Sequence, residues 1–196
     1  FFSQARSTKS MRRADVIILM MDCLEQTSKL DRKLAEEAVQ EVKPIVLAVN
    51  KWDLSGEVTT DDFSKYIYDR LPMLRFAPQI FLSVKNGENC FALVDTALEL
   101  YHQANTRVTT GQLNRAVEAA FSKHRPKARY GKPPRFFYAT QVDVNPPTIV
   151  VFVNDHRVFR DDWREYLKGQ LRQELPFAEI PMKIVFRDRS RVELEE

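Results

Sequence analysis

The sequence has 196 residues, of which 44% are hydrophobic, and this length allows a substantial core in one or two domains. No apolar run approaches the roughly 18 residues of a transmembrane helix, and the start lacks the apolar core of a signal peptide. The two cysteines, Cys23 and Cys90, do not suggest a disulfide scaffold, so a reducing, cytoplasmic setting is expected. Residues 1–104 carry 13 Lys and Arg against 15 Asp and Glu, a net charge of −2, whereas residues 105–196 carry 17 against 12, or +5, which predicts an anionic partner for the second part.

Residues 1–104 have the pattern of alternating strands and helices. The expected strands are Val16–Met21, Ile45–Val49 and Ile80–Leu82. The expected helices begin near Ser28, Asp61 and Asn89. The inward-facing residues expected in the first and last of these helices are Leu30, Leu34, Ala38, Val42, Phe91, Val94, Leu98 and Tyr101. This alternation predicts a parallel α/β sheet with right-handed crossovers.

The order of elements changes after the segment 104–108, and residues 105–196 are expected to form a second domain. Its first helix is expected to begin at Thr109, which forms a capping-box pattern with Gln112. The remaining expected elements are strands at Phe136–Val142, Thr148–Val153 and Lys183–Arg187 and a helix near Asp162–Leu175. The order helix, strand, strand, helix, strand predicts an α+β layer.

The motif N-K-W-D at residues 50–53 directly follows the apolar run Ile45–Val49, where a buried parallel strand would end. Ligands of open α/β sheets bind at the carboxyl ends of the strands. Asp53 can accept two hydrogen bonds from the ring NH and the exocyclic amine of guanine, a donor pair that adenine does not offer. Asn50 can hold the loop or reach the base edge, and the stem of Lys51 can cover one ring face. The alternative is a short polar turn after a core strand.

A second motif, S-V-K at residues 83–85, follows the next predicted strand. Backbone N–H groups at this turn could bind the guanine carbonyl oxygen, and Lys85 could pack on the second ring face, opposite Lys51. Alone, a Ser-x-Lys at a strand end is commonplace. Paired with residues 50–53, it completes the expected set of guanine-binding residues: Asn50, Lys51, Asp53, Ser83, Val84 and Lys85.

The run at 123–135 holds six Lys or Arg and no acidic residue. It fits either a solvated linker or a contact with the phosphate backbone of RNA, which would weaken steeply with salt. Tyr130 and Phe136 could stack on unpaired bases or pack inside. The candidates for RNA contact are Lys123, Arg125, Lys127, Arg129, Lys132 and Arg135.

The phosphate-binding pattern GxxxxGK[ST] of nucleoside triphosphatases occurs nowhere in the sequence. We therefore assign no catalytic residue, and the three dispersed histidines give no metal-ligand spacing. A base-reading half-site without a phosphate site predicts a domain whose first half is absent, and Mg²⁺ is expected only with that missing half.

On these motifs the sequence resembles the Der (EngA) family of bacterial ribosome-assembly GTPases, which have two GTPase domains followed by a KH-like domain. The strings that carry the resemblance are RRADVIILMMD, IVLAVNKWDL, FLSVK, TGQLNRAVEAA, RFFYATQVDVNPPTIVVFVND and DWREYLKGQLRQEL. They correspond to the later half of the second GTPase domain, residues 1–104, and to the KH-like domain, residues 105–196. The position of Val84 is typically Ala in the family, and no GxxG loop of the usual KH type is present.

The resemblance implies an incomplete P-loop GTPase-type parallel sheet followed by an α+β KH-like domain. It also implies binding of GTP and GDP, GTP hydrolysis by the full protein, and a role in ribosome biogenesis at the large ribosomal subunit and its rRNA, in the bacterial cytoplasm without a membrane span. The alternative is a non-catalytic module that binds RNA or protein and keeps a structural remnant of a GTPase domain.

Overall fold

The computed structural model describes residues 2–128, 131 and 133–189, and the side chains from residue 8 onward. The chain divides into two compact units. The first runs to Asn105 and includes Glu179–Pro181, and the second comprises Thr106–Ala178 and continues from Met182.

The first unit is a three-stranded parallel sheet with helices between its strands. Its elements in chain order are α1 (Phe2–Arg13), β1 (Ile17–Asp22), α2 (Lys29–Gln40), β2 (Ile45–Asn50), α3 (Thr60–Arg70), β3 (Gln79–Phe81) and α4 (Cys90–Asn105). The strand order is β1-β2-β3. All five residues from Ile45 to Val49 are fully buried, because β2 is the central strand and is covered on both faces. The expected strand–helix alternation is confirmed, whereas α1 was not expected.

Local sequence sets the start of α2. The Ser28 side chain accepts the N–H of Asp31, and the Asp31 carboxylate accepts the N–H of Ser28, so the expected N-cap is confirmed as a reciprocal capping box. The helix buries Ala35 and Ala38. The expectation for Leu30 was wrong: it is 62% exposed, because it lies in the first turn, beyond the end of the packed face.

The predicted inward face of α4 was also wrong. Phe91 is 85% exposed, and the other three residues of that stripe, Val94, Leu98 and Tyr101, are exposed as well. The buried residues are Leu93, Leu100 and Ala104. At 100° per residue, these lie roughly 120° around the helix from the predicted stripe. The helix is apolar on two sides, and the sheet of this unit covers only one of them.

The second unit packs two helices with a mixed three-stranded sheet. Its elements are α5 (Thr110–Lys123), β4 (Phe136–Asp143), β5 (Thr148–Val153), α6 (Asp161–Glu174) and β6 (Lys183–Asp188). The strand order is β4-β5-β6, with β4 antiparallel and β6 parallel to β5. The expected capping box of Thr109 and Gln112 is confirmed.

An aromatic cluster forms part of the core of the second unit. The ring of Phe159 lies 5.2 Å from that of Trp163 and 5.2 Å from that of Phe186, so one residue joins α6 to β6. The indole N–H of Trp163 donates to the backbone carbonyl of His124, 2.8 Å away. Trp163 is therefore a core residue that also fixes the segment after α5. No described helix combines the length and the apolarity that a bilayer crossing requires.

Candidate functional site

The carboxyl ends of the three parallel strands meet at one edge of the first sheet. Asp22 and Asn50 are register partners at the last positions of β1 and β2. The N–H of Leu82 donates to the carbonyl of Val49 at 2.9 Å, and the N–H of Trp52 donates to the carbonyl of Leu82 at 3.0 Å. These bonds tie the loop after β2 to the segment after β3. The structure thus brings residues 50–53 and 83–85 together.

Asn50 links the two motifs directly. Its side-chain oxygen accepts the backbone N–H of Val84 at 3.1 Å, across 34 residues of sequence. Of the two roles left open by the sequence, this contact favours holding the loop over reaching the base. This bond holds the loop of residues 83–85 against the end of β2.

Lys51 is held by a residue that the sequence reasoning did not assign. Its ammonium lies 2.6 Å from a carboxylate oxygen of Asp22, and its backbone has a left-handed conformation with φ of 60°. The Cys23 thiol donates to the carbonyl of Lys51 at 3.0 Å. The available signal was an aspartate at the end of β1, but the sequence did not show that this end lies opposite Asn50.

The ion pair of Lys51 with Asp22 shifts the pKa values of both groups. The hydrogen bond from Lys51 and that from the N–H of Leu24 hold the pKa of the Asp22 carboxyl below its ordinary value of about 3.9. The same bond to Asp22 raises the pKa of Lys51. Burial, and then the nearby carboxylates of Asp22 and Asp53, raise the pKa of the Cys23 thiol, so it stays protonated and donates at neutral pH.

Replacing Asp22 by Asn is expected to remove part of the acid dependence of stability. Because the folded-state pKa of Asp22 is depressed, its contribution is fully present above pH 4–5 and is lost as the pH falls through the folded pKa. The free energy of unfolding, measured with urea between about pH 2 and pH 7, should therefore differ between wild type and Asp22→Asn at neutral pH and converge in acid. Asp69→Asn, on the exposed surface of α3, is the control. Parallel curves for Asp22→Asn at every pH would contradict the pairing.

Asp53 is exposed, and its carboxylate neither accepts a hydrogen bond nor forms an ion pair with any described residue. The preceding residue, Trp52, anchors the motif, since its ring lies 4.4 Å from that of Phe81 and 5.5 Å from that of Phe63. A partly buried aromatic thus fixes the turn while the next side chain keeps its acceptor oxygens available. Such a carboxylate can accept the two N–H donors of a guanine edge.

In the loop after β3, residues 83–85 take different roles. Ser83 is 1% exposed, and its hydroxyl accepts the N–H of Asn86 at 3.3 Å, so its side chain is structural. Val84 and Lys85 are exposed. Asn89, which the sequence reasoning did not single out, donates to the carbonyl of Phe81 at 2.8 Å and has a positive φ of 56°. It therefore closes the loop just before α4 begins.

Replacing Asn50 by Ala is expected to loosen this loop. One acceptor for a backbone amide is worth about 1 kcal/mol, so the amide hydrogen of Val84 should exchange with solvent about 5- to 10-fold faster. Asn50→Asp keeps an acceptor oxygen at the same place and should retain most of the protection. Native-state hydrogen exchange measures both. Unchanged protection of Val84 in the alanine variant would show that Asn50 does not hold the loop.

The basic run lies between α5 and β4 in the second unit. Lys123 ends α5, and its ammonium donates to the side chain of Gln170 at 3.2 Å. Arg125, Lys127 and Arg135 are exposed. Arg129 and Lys132, and also Tyr130, lie outside the described residues. Phe136 is half-buried at the start of β4.

Comparison with known proteins finds similarity in both parts of the chain. Residues 107–187 match the model of the KH-domain-like domain of EngA bacterial GTPase enzymes, C-terminal. The chain is 41% identical over 194 residues to GTPase Der of Rhodopirellula baltica and 37% identical over 201 residues to GTPase Der of Microcystis aeruginosa, which is 98% and 100% of this chain. It spans 43% and 44% of the length of these relatives.

Among solved structures, a point variant of Aquifex aeolicus Era bound to GDP·AlF4⁻ covers 94% of this chain and 69% of its own at 18% identity, with a TM-score of 0.41. The expected fold class rests on the parallel topology of the first sheet and on the family match of the second unit. A GTPase-type parallel α/β sheet followed by an α+β KH-like domain is therefore confirmed.

Proposed function

The chain is related along its length to the Der (EngA) GTPases, and from this premise we propose that it is part of a GTP-binding protein that hydrolyses GTP in ribosome biogenesis. In this proposal the first unit recognises the guanine base, and the second unit contacts rRNA of the large ribosomal subunit. The protein would act in the bacterial cytoplasm. The observation that carries the proposal is the placement of residues 50–53 and 83–85 at one sheet edge, where the bond from the Val84 amide to Asn50 joins the two motifs.

In the guanine site of the proposal, Asp53, Lys51 and Lys85 would contact the base, and Asn50, Ser83 and Val84 would hold the loop beside it. Asp53 would accept the ring NH and the exocyclic amine of guanine. The amide of Val84 is already taken by Asn50, so the guanine carbonyl would be bound by the next exposed amide, that of Lys85. The stems of Lys51 and Lys85 would cover the two ring faces. The ion pair with Asp22 supports this placement, because it restricts the long side chain of Lys51 before the base binds.

GTP and GDP would be the ligands of the first unit. The 196 residues contain no glycine-rich phosphate loop, so none of them is assigned to the phosphates, to Mg²⁺ or to the attacking water. In the proposed GTPase these groups would be held by residues outside this chain. We therefore assign this chain the recognition of the base and no hydrolytic step.

The RNA contact proposed for the second unit is supported by its charge. Residues 105–196 carry a net charge of +5, and the described basic residues Arg125, Lys127 and Arg135 are exposed. Contacts with phosphates would release counterions and weaken binding as salt rises. Arg129 and Lys132 remain candidates by sequence.

The second candidate function is a non-catalytic module that binds RNA or protein, with the first unit as a structural remnant. The absence of GxxxxGK[ST] from the sequence favours it. The two functions differ in whether the exposed carboxylate of Asp53 has a ligand.

A titration of the 196-residue chain with GDP and ADP separates the two functions. Chemical shifts of the Lys85 amide and its neighbours should respond to GDP at lower concentration than to ADP. Equal responses, or none, would leave the non-catalytic module.

The proposed partner is tested by co-sedimentation with separated ribosomal subunits. The chain should sediment with the large subunit at low salt and dissociate from it at high salt. Equal retention on both subunits would overturn the proposed partner.

A further inference from the structure

Arg125 lies between two cavities of the second unit. The first has a volume of about 310 Å³. Besides Pro126 and Val158, it is lined by six polar or aromatic residues: His124, Arg125, Lys127, Arg160, Asp162 and Trp163. The second has a volume of about 630 Å³, and the side chains that bear on the argument are Glu118, Phe121, Arg125, Arg135, Phe136 and Phe137. Both volumes fall in or near the range of small-molecule sites.

The first cavity has the chemistry of an anion site. Lys127 and Arg160 reach it from segments 33 residues apart in sequence, and neither forms an ion pair with any described residue. Its single acid, Asp162, uses one carboxylate oxygen to accept the backbone N–H of Trp163 at 2.9 Å. Three cationic residues, Arg125, Lys127 and Arg160, thus line a cavity whose one carboxylate is itself hydrogen-bonded. Guanidinium groups with free donors are well suited to phosphate oxygens.

Trp163 and His124 fix the wall of the first cavity at the start of the basic segment. Trp163 is 4% exposed, and its indole N–H bond to the carbonyl of His124 ties the basic segment to α6. The ring of His124 also lies 5.1 Å from that of Tyr166 on the same helix. The backbone that carries Arg125 and Lys127 therefore starts from a fixed point.

The second cavity has the chemistry of a stacking site. Phe136 and Phe137 come from the start of β4, and Phe121 comes from the last turns of α5. Phe137 is 39% exposed and has the guanidinium of Arg189 over its ring at 5.3 Å. Arg125 lies 5.9 Å from the centre of the Phe121 ring. Partly exposed aromatic rings beside arginines are the usual platform for unpaired bases.

We propose that these cavities form one two-part site for single-stranded RNA, with a backbone phosphate in the first and the adjoining base in the second. The inference deepens the proposed RNA contact and rests on it. Arg125 would bridge the two parts, as the phosphate and the base of one nucleotide are covalently joined. In a double helix the bases are stacked inside, so it would offer the first cavity a phosphate and leave the second empty. An acidic peptide would likewise engage only the first.

The test uses the 196-residue chain and fluorescent oligouridylate and oligoadenylate of about eight nucleotides, within the site size of single-strand binders. Arg160→Gln should weaken binding about 5- to 10-fold and reduce the slope of log K against log salt by about 1. Phe137→Ala should weaken binding by at least about 5-fold and leave the salt slope unchanged. Arg115→Gln, in the first half of α5 and exposed, should behave as wild type. Thermal melting should confirm that each variant is folded.

The remaining outcomes distinguish a failure of the two-part site from a failure of the proposed RNA contact. Binding of structured rRNA with no effect of Arg160→Gln or Phe137→Ala would overturn the two-part site and leave the proposed RNA contact standing. A loss with Arg160→Gln that is equal for single-stranded RNA, duplex RNA and a polyglutamate peptide, with no effect of Phe137→Ala, would reduce the site to a general anion site and overturn the base pocket. Binding to no RNA at low salt would overturn the RNA contact and the inference together.

Discussion

On the proposed recognition of guanine, replacing Asp53 by Asn is expected to shift the preference of the first unit from guanine to xanthine nucleotides. The carboxylate offers two acceptor oxygens, which match the ring NH and the exocyclic amine of guanine. An Asn side chain offers one acceptor and one donor, and xanthine presents a ring NH beside a carbonyl, so its edge is complementary to the variant. Each hydrogen bond to a charged group contributes about 1.5–3 kcal/mol, so the ratio of the two affinities should change by about 100-fold or more.

The measurement is a chemical-shift titration of the Asp53→Asn chain with GMP, XMP and AMP. This readout follows weak binding, which matters because the chain has no phosphate loop. Asp95→Asn, on the exposed surface of α4, should leave the guanine preference intact. Asp53→Ala should lose discrimination without gaining xanthine. If Asp53→Asn kept its preference for GMP, the carboxylate would not be the acceptor for the base.

The parts of the site that follow from local sequence were predictable. The apolar run of β2 marks its own burial, and a polar motif that directly follows such a strand must lie at its carboxyl end. The capping boxes of α2 and α5 were equally local, because each involves residues three positions apart. These features need no knowledge of what packs against the chain.

The contacts that fix the site were not predictable, since they cross between strands. The bond from Val84 to Asn50 and the pair of Lys51 with Asp22 depend on which strands are neighbours and in which register. Alternation of strands and helices predicts a parallel sheet but not its order. The same limit applies to Arg160, which meets the basic segment only through the packing of α6.

Helix α4 shows the limit of periodicity most clearly. Two apolar stripes satisfy the helical repeat, one through Leu98 and the other through Leu100. A hydrophobic pattern identifies a stripe that can be buried, whereas only the sheet decides which stripe is. The larger side chains favoured the wrong stripe, because Phe91 and Tyr101 carry more apolar area than Leu93 and Ala104.

Two leucines two positions apart in α4 are therefore expected to differ sharply. Leu100 is fully buried, so Leu100→Ala should lower the free energy of unfolding of the first unit by about 2–5 kcal/mol, through lost burial and the cavity left behind. Leu98 is 53% exposed, so Leu98→Ala should change it by no more than about 0.5 kcal/mol. The pair is matched in chemistry, in helix and in helix propensity, and only the stripe differs.

Native-state hydrogen exchange of the β2 amides is the appropriate measurement, because it reports the opening of the first unit separately from the second. Exchange of Val49 should quicken by about 30-fold or more in Leu100→Ala and stay within a few-fold of wild type in Leu98→Ala, since about 1.4 kcal/mol corresponds to tenfold. Equal effects would mean that both stripes are covered in the 196-residue chain. The reverse order would mean that the stripe through Phe91 packs on the sheet, as the sequence pattern alone predicts.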